Sequence, residues 1–211
     1  MSTVHAFPVP EMHWSDWAKI FVGLGIGVGT IFHIISWSVP DNKRHKVYNL
    51  TNFWLILSGV IHVWIEFNFV YFRNNSSIKT GLDMYAAADY RYGHYGNGLM
   101  ESGTHAMEAI TALIDGPLCF LVAFAAAHDY GCRHPLQIIL CVMQLYGLLW
   151  FTLQPIYSDT GVAGHFSSDP ALFWGIAVGC NAPWGIFPTI LLAQSFVEVS
   201  NKMAVKDRKR D

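Results

Sequence analysis

His62 and Glu66 stand four residues apart inside an apolar run from about Asn52 to Phe72. Residues at that spacing share one face of a helix. An imidazole beside a carboxylate is a pair able to pass protons. A second apolar run carries Glu108 and Thr111, three apart and again neighbours on one face. His105 and Glu101 come one and two turns before Glu108 on roughly that face, and Asp115 two turns after it. A charged side chain at membrane depth costs about 2.5–3.5 kcal/mol even on the lenient insertion scale. A chain that keeps several there is read as turning them inward, to a polar site it uses. Later runs add Gln144 and Tyr146, then Asn181 and Trp184 beside Pro183. One shared internal cavity is the economical explanation.

The elements that must hold these groups are helices. Hydrophobic residues make up 53% of the 211 and charged residues only 13%, about half the usual share in soluble domains, and mean hydropathy is +0.31. The fold class expected is therefore an all-α integral membrane protein: a five-transmembrane-helix bundle with an internal ligand cavity, in a single membrane domain over 1–211. Each apolar run is close to the ~20 residues that cross a bilayer. The helices are expected at about 17–37, 52–72, 105–127, 136–153 and 170–196. A long connection, 73–104, separates the second from the third. Within it Tyr85–Tyr92 reads as a short helix and Gly93–Gly98 as a glycine-rich turn; connections of such length usually have a job, such as covering a site. Gly116-Pro117 predicts a kink. Gly23, Gly25, Gly27 and Gly29 give the first helix small residues for close contact, either within the bundle or in a homodimer.

Lys43-Arg44-His45-Lys46, Arg133 and the tail 202–211 alternate so that all fall on one side, the cytoplasmic one by the positive-inside rule. The N-terminus, the 73–104 connection and the 156–169 loop then lie opposite. No cleaved signal peptide is expected, since Met1–Trp17 lacks a basic stretch leading into an apolar one. The ending Arg208-Lys209-Arg210-Asp211 faintly resembles a retrieval signal of the endoplasmic reticulum, but a plain basic juxtamembrane tail is the preferred reading. A net charge of −2 gives no reason to expect nucleic acid. Cys119, Cys132, Cys141 and Cys180 lack CxxC spacing and read as small packing residues. Met100, Met107 and Met143 read as packing as well. His62, Glu66, His105 and Glu108 are metal-ligand types, but His105-x-x-Glu108 reverses the Glu-x-x-His order of di-iron bundles, and histidine boxes are missing. No metal and no cofactor are expected.

The pattern His62-x-x-x-Glu66, Tyr85 to Tyr92, Met107-Glu108-Ala109-Ile110-Thr111, Gly116-Pro117, Gln144-x-Tyr146-Gly147 and Asn181-Ala182-x-Trp184 resembles the emopamil-binding protein family, which includes sterol delta-eight to delta-seven isomerases of the endoplasmic reticulum. The resemblance covers about Gly59 to Pro188. It implies a five-helix membrane bundle around an amphipathic, sterol-like ligand, and a cofactor-independent isomerase. Its acid protonates a ring double bond, and its base takes a proton from a neighbouring carbon. By resemblance, His62, Glu66 and Glu108 are the catalytic set. Thr111 and Asn181 hold or relay by hydrogen bonds, Trp184 sets its π face near the cation, and Tyr92, with Tyr85, shapes the mouth. His105, Asp115 and Tyr146 are added as substrate contacts. The stretch between Tyr92 and Met107 is longer than the pattern, and His105 and Asp115 stand where it has apolar or aromatic residues. The substrate expected is therefore a sterol or another terpenoid or polyketide-like lipid, met among membrane lipids. A non-catalytic protein that binds sterols or cationic amphiphiles is the alternative.

Overall fold

The computed structural model describes residues 7–93 and 101–207; most of the glycine-rich turn at 93–98, Met100 and the ending 208–211 lie outside the described residues. Five helices are long and apolar enough to cross a membrane: α1 (Trp14–Ser38), α2 (Leu50–Asn75), α4 (Ser102–Ala127), α5 (Arg133–Ile156) and α6 (Ala171–Val205). Between α2 and α4 runs the short helix α3 (Lys79–Ala88). The chain is an all-α integral membrane protein, with no strand among the described residues. Its outward surface is apolar, with Phe21, Ile26, Leu121 and Ile190 all exposed, as a lipid-facing bundle requires. All five helices run longer than the apolar runs alone indicate, because polar residues at their ends continue the helical turns. The short helix of the connection lies earlier than expected: it starts at Lys79 and stops at Ala88, where Asp89 turns extended and caps the 3-10 turn Tyr90–Tyr92.

Small residues set how closely the helices approach. A Cβ on Gly23 would lie 2.1 Å from the Trp64 ring, and one on Gly27 2.7 Å from Val60, so α1 lies directly on α2 along these two glycines. Gly25 and Gly29 face open space. The crossing of α2 with α4 is as tight: Gly59 meets Phe120 and Cys119, while Gly116 meets Val63 and His62. On the other side of the bundle, α5 holds α6 through buried polar side chains, Gln137 donating to the Leu191 carbonyl at 2.9 Å and His134 bonded to Ser195 at 3.1 Å.

The connections cluster at two ends. At one, Lys43 and Lys46 reach Asp129, joining the 3-10 turn Asp41–Lys46 to the α4–α5 loop. At the other, the segment after α3 is tied to the α5–α6 loop, Tyr90 N–H donating to the His165 carbonyl and Ser167 N–H to that of Ala88. The two long connections thus share one end of the bundle, as the alternation of basic loops requires.

Three stretches leave the α-helical ladder for wider π turns: Ile61–Glu66 in α2, Thr111–Asp115 in α4 and Ala171–Val178 at the start of α6. The second sits just before Gly116-Pro117. Proline cannot continue the regular ladder, and the irregularity expected there takes the form of a π turn in which Gly116 N–H reaches back to Thr111. Such bulges frequently mark functional sites.

Candidate active site

The bundle encloses a cavity of about 490 Å³, within the range of small-molecule sites. α1 supplies apolar wall only, including Ile20 and Leu24. The polar groups come from α2 through α6, and the π turns of α2 and α4 bring two of the sets together.

His62 is the hub. It is 3% exposed. Its Nδ1 lies 2.7 Å from Glu66 Oε2. Its Nε2 receives Trp184 Nε1–H at 3.3 Å, with the Gln144 amide nitrogen at 3.5 Å and the Ser58 hydroxyl at 3.2 Å. An indole N–H only donates, so Nε2 carries the lone pair and the imidazole proton sits on Nδ1, toward Glu66. Gln144 also donates to Ser58 at 3.0 Å, which fixes the hydroxyl behind the ring. Glu66 Oε2 accepts a second bond, from the Thr111 hydroxyl of α4. Thr111 also lies 3.0 Å from the Glu108 carbonyl one turn earlier.

The second carboxyl, Glu108, accepts from the Tyr92 hydroxyl. Tyr92 stands edge-on to Tyr85 at 4.6 Å, and Tyr85 accepts from Asn181 at 2.7 Å. Burial holds the Tyr92 phenol well above the ordinary tyrosine range, and the neighbouring Glu108 carboxyl adds to it; burial and then Asp89 do the same for Tyr85. Both phenols remain neutral, and Tyr92 is the donor to Glu108. Asn181 lies in the turn between the π stretch and the regular part of α6, which directs it to the cavity and sets Trp184 one turn on.

Tyr92 is set in place by its neighbour. Arg91 is wholly buried, bonded to Asp89 at 2.7 and 2.9 Å, to the Phe151 carbonyl at 2.7 Å and to Gln154 at 2.9 Å. Its guanidinium lies over the Phe151 ring at 3.7 Å. Burial pushes the Asp89 carboxyl up, against the pull of Arg91. Burial alone would lower Arg91, but its bonds to Asp89 hold it above the ordinary value. The pair anchors the 73–104 connection to α5.

His62, Glu66, Glu108, Thr111, Tyr92, Asn181, Trp184 and Asp115 all border the one cavity. Two of the expected contacts do not. Tyr146 is 66% exposed on the outer face of α5. Two residues beyond inward-facing Gln144 is roughly 200° around a helix, so the motif that carries Gln144 inward carries Tyr146 out. His105 packs against Phe69 of α2 at 6.1 Å and borders no part of the cavity. The inward stripe of α4 is Thr104, Glu108, Thr111 and Asp115, and His105 lies about 100° from Thr104. Sequence reasoning passed over Ser58, a small polar residue one turn before His62, and the Asp89–Arg91 anchor. A buried Arg beside an Asp in a connection too long to be idle was the available signal. The methionines Met107 and Met143 are part of the cavity wall, as is Cys180; Cys119 and Cys141 are buried, while Cys132 is exposed.

An all-helical membrane bundle whose cavity gathers three carboxyls and a histidine defines a class of membrane proteins, and the sequence comparisons agree with it. Residues 79–195, more than half the chain, match the family model EXPERA (EXPanded EBP superfamily). The chain belongs to this family. Among curated proteins it is 29% identical over 152 residues to the rice "Probable 3-beta-hydroxysteroid-Delta(8),Delta(7)-isomerase", a match covering 69% of this chain and 65% of the rice protein, a little under two thirds of its length. It is 24% identical to an isomeliandiol synthase of Melia azedarach, over 83% of this chain and 82% of that protein. With the mouse 3-beta-hydroxysteroid-Delta(8),Delta(7)-isomerase it shares 27% over 74% of this chain and 67% of the mouse protein.

Proposed function

We propose that the chain is a cofactor-independent membrane isomerase that moves a double bond, or rearranges a ring, in a hydrophobic polycyclic terpenoid. The observation that carries this reading is the pairing of two differently bonded carboxyls in one apolar cavity. Glu66 takes the His62 N–H and the Thr111 hydroxyl on one oxygen, bonding that suits a carboxylate. Glu108 has the neutral Tyr92 hydroxyl as its donor. In the proposed cycle Glu108 is the acid and gives its proton to one carbon of the alkene. The π electrons form the new C–H bond, and a tertiary carbocation remains at the other carbon. Glu66 then removes a proton from the next carbon, and that C–H pair becomes the shifted double bond. Between turnovers Glu66 gives its proton to solvent and Glu108 takes one from it, so no net proton is gained or lost. His62 orients Glu66 and shares its proton. Trp184 presents its ring to the cation, and Asn181 with Tyr85 bounds the substrate. His105 and Tyr146 have no part in it.

The relatives' names, sterol isomerases together with isomeliandiol and protoglabretal synthases, support a sterol or related terpenoid as substrate. We place the chain in the endoplasmic reticulum membrane by its resemblance to the sterol isomerases, and give it a lumenal N-terminus and cytoplasmic C-terminus on the distribution of its basic loops. A homodimer rests on the open outward glycines Gly25 and Gly29, and cysteine crosslinking from Gly29 tests it.

The function is tested by mass spectrometry and proton NMR on lipids of a sterol-isomerase-deficient host fed sterol and triterpenoid precursors. Expression of the chain should yield an isomer with a shifted double bond or a rearranged ring, absent with Glu108→Gln. Ligand binding by the purified protein with no new isomer from any precursor would favour the binding-protein alternative.

A further inference from the structure

Asp115 is the one cavity-lining carboxyl for which the proton-transfer scheme has no use. It is 2% exposed and borders the cavity, and its Oδ1 is buried without a hydrogen-bond partner. It lies at the depth of His62, since the adjoining Gly116 packs against Val63 and the His62 Cβ. His62 does not serve as its partner. Both ring nitrogens are taken, Nδ1 by Glu66 and Nε2 by Trp184, Gln144 and Ser58. The Gln144 and Trp184 N–H groups that face the site are directed at Ser58 and His62 rather than at Asp115. A buried carboxyl that lacks a donor is costly, and the bundle offers it none among the described residues.

We infer that Asp115 receives a hydroxyl group of the substrate, and so selects polycyclic lipids that carry an alcohol at the inner end of the cavity. This rests on the proposed terpenoid reading. A carboxyl oxygen is an acceptor, and the hydroxyl is the donor that a polycyclic terpenoid can bring to an otherwise apolar wall. Asp115 stands seven residues beyond Glu108, roughly 10 Å along the helix axis. The alcohol is held at one carboxyl of α4 and the reacting carbon faces the other, so the two fix the register of the ring system between them. Asp115 is thus a specificity residue, distinct from the acid and base.

The test uses purified full-length protein in detergent and quenching of its tryptophan fluorescence, Trp54 and Trp184 both bordering the cavity. The probes are zymosterol and its methyl ether at the ring-A hydroxyl. Wild-type protein should bind the alcohol at least 10-fold more tightly than the ether. Asp115→Leu should bind both equally and should also melt at a higher temperature, because an unpartnered buried carboxyl is removed. Asp115→Asn should keep part of the preference. Equal preference in wild type and Asp115→Leu, with both folded, would overturn the assignment, as expected if a water alone satisfies the carboxyl. A wild-type protein that binds neither probe would overturn the sterol-like reading itself, and this assignment with it.

Discussion

His62 explains why the site's residues form a set. Its lone pair faces Trp184 and its proton faces Glu66, so one ring links α2 to α6 and fixes the carboxylate that α4 reaches through Thr111. Removing Glu108 as a proton donor, by Glu108→Gln, should cost about 10²–10⁴ in kcat while leaving the melting temperature near that of wild type. Trp184→Phe keeps an aromatic face but loses the N–H that holds His62; a fall in kcat with little change in KM is expected from initial-rate kinetics. The i,i+4 and i,i+3 spacings made His62, Glu66, Glu108 and Thr111 legible in the sequence. Tyr146 was misplaced because two residues along a helix reverse the direction of a side chain, and His105 because one residue turns it about 100° from inward-facing Thr104. Ser58 was missed because a lone serine in an apolar run carries no signal until its partners are known.

At the scale of elements, the 73–104 connection is held by Asp89 and Arg91. Breaking one half of a buried ion pair leaves the other charge unpaired, at about 3–5 kcal/mol. Arg91→Met should therefore lower Tm sharply and release Tyr92 from Glu108, whereas the double replacement Asp89→Leu with Arg91→Met should be milder than the single one; thermal melts in detergent compare them. Glu101 caps α4, accepting from Gly103 N–H at 3.0 Å and Thr104 N–H at 2.5 Å. Burial alone would raise its carboxyl, yet the bonds from Thr104 and Gly103 hold it below the ordinary 4.5. Its contribution is thus full above pH 4.5 and is lost as pH falls through the lower folded value. Glu101→Gln should remove up to ~1 kcal/mol at neutral pH, in line with cap losses, and the gap from wild type should narrow in strong acid. Helix number and order were readable from hydropathy. The π turns were not, since the sequence marks only Gly116-Pro117, and two of the three lie beside the place where α2 and α4 meet at Gly59 and Gly116.

For the molecule as a whole, the apolar outer surface, the Lys43 and Lys46 contacts with Asp129 at one end and the tied connections at the other describe a bundle standing in a bilayer. An N-glycosylation sequon built into the 156–169 loop should be modified when the protein is made on microsomes, and one added after Asp211 should not. The reverse pattern would invert the orientation. The central claim is that the substrate's double bond moves by addition of one proton and loss of another, and heavy water tests this most directly. Membranes containing the chain are incubated in D2O with the precursor it converts, and the isomer is examined by mass spectrometry and NMR. One solvent deuterium is expected at the carbon that received the proton, and no labelled product with Glu108→Gln. An isomer formed at full rate without deuterium would contradict it, because the hydrogen would then have moved within the substrate and the two carboxyls would have no part in the reaction.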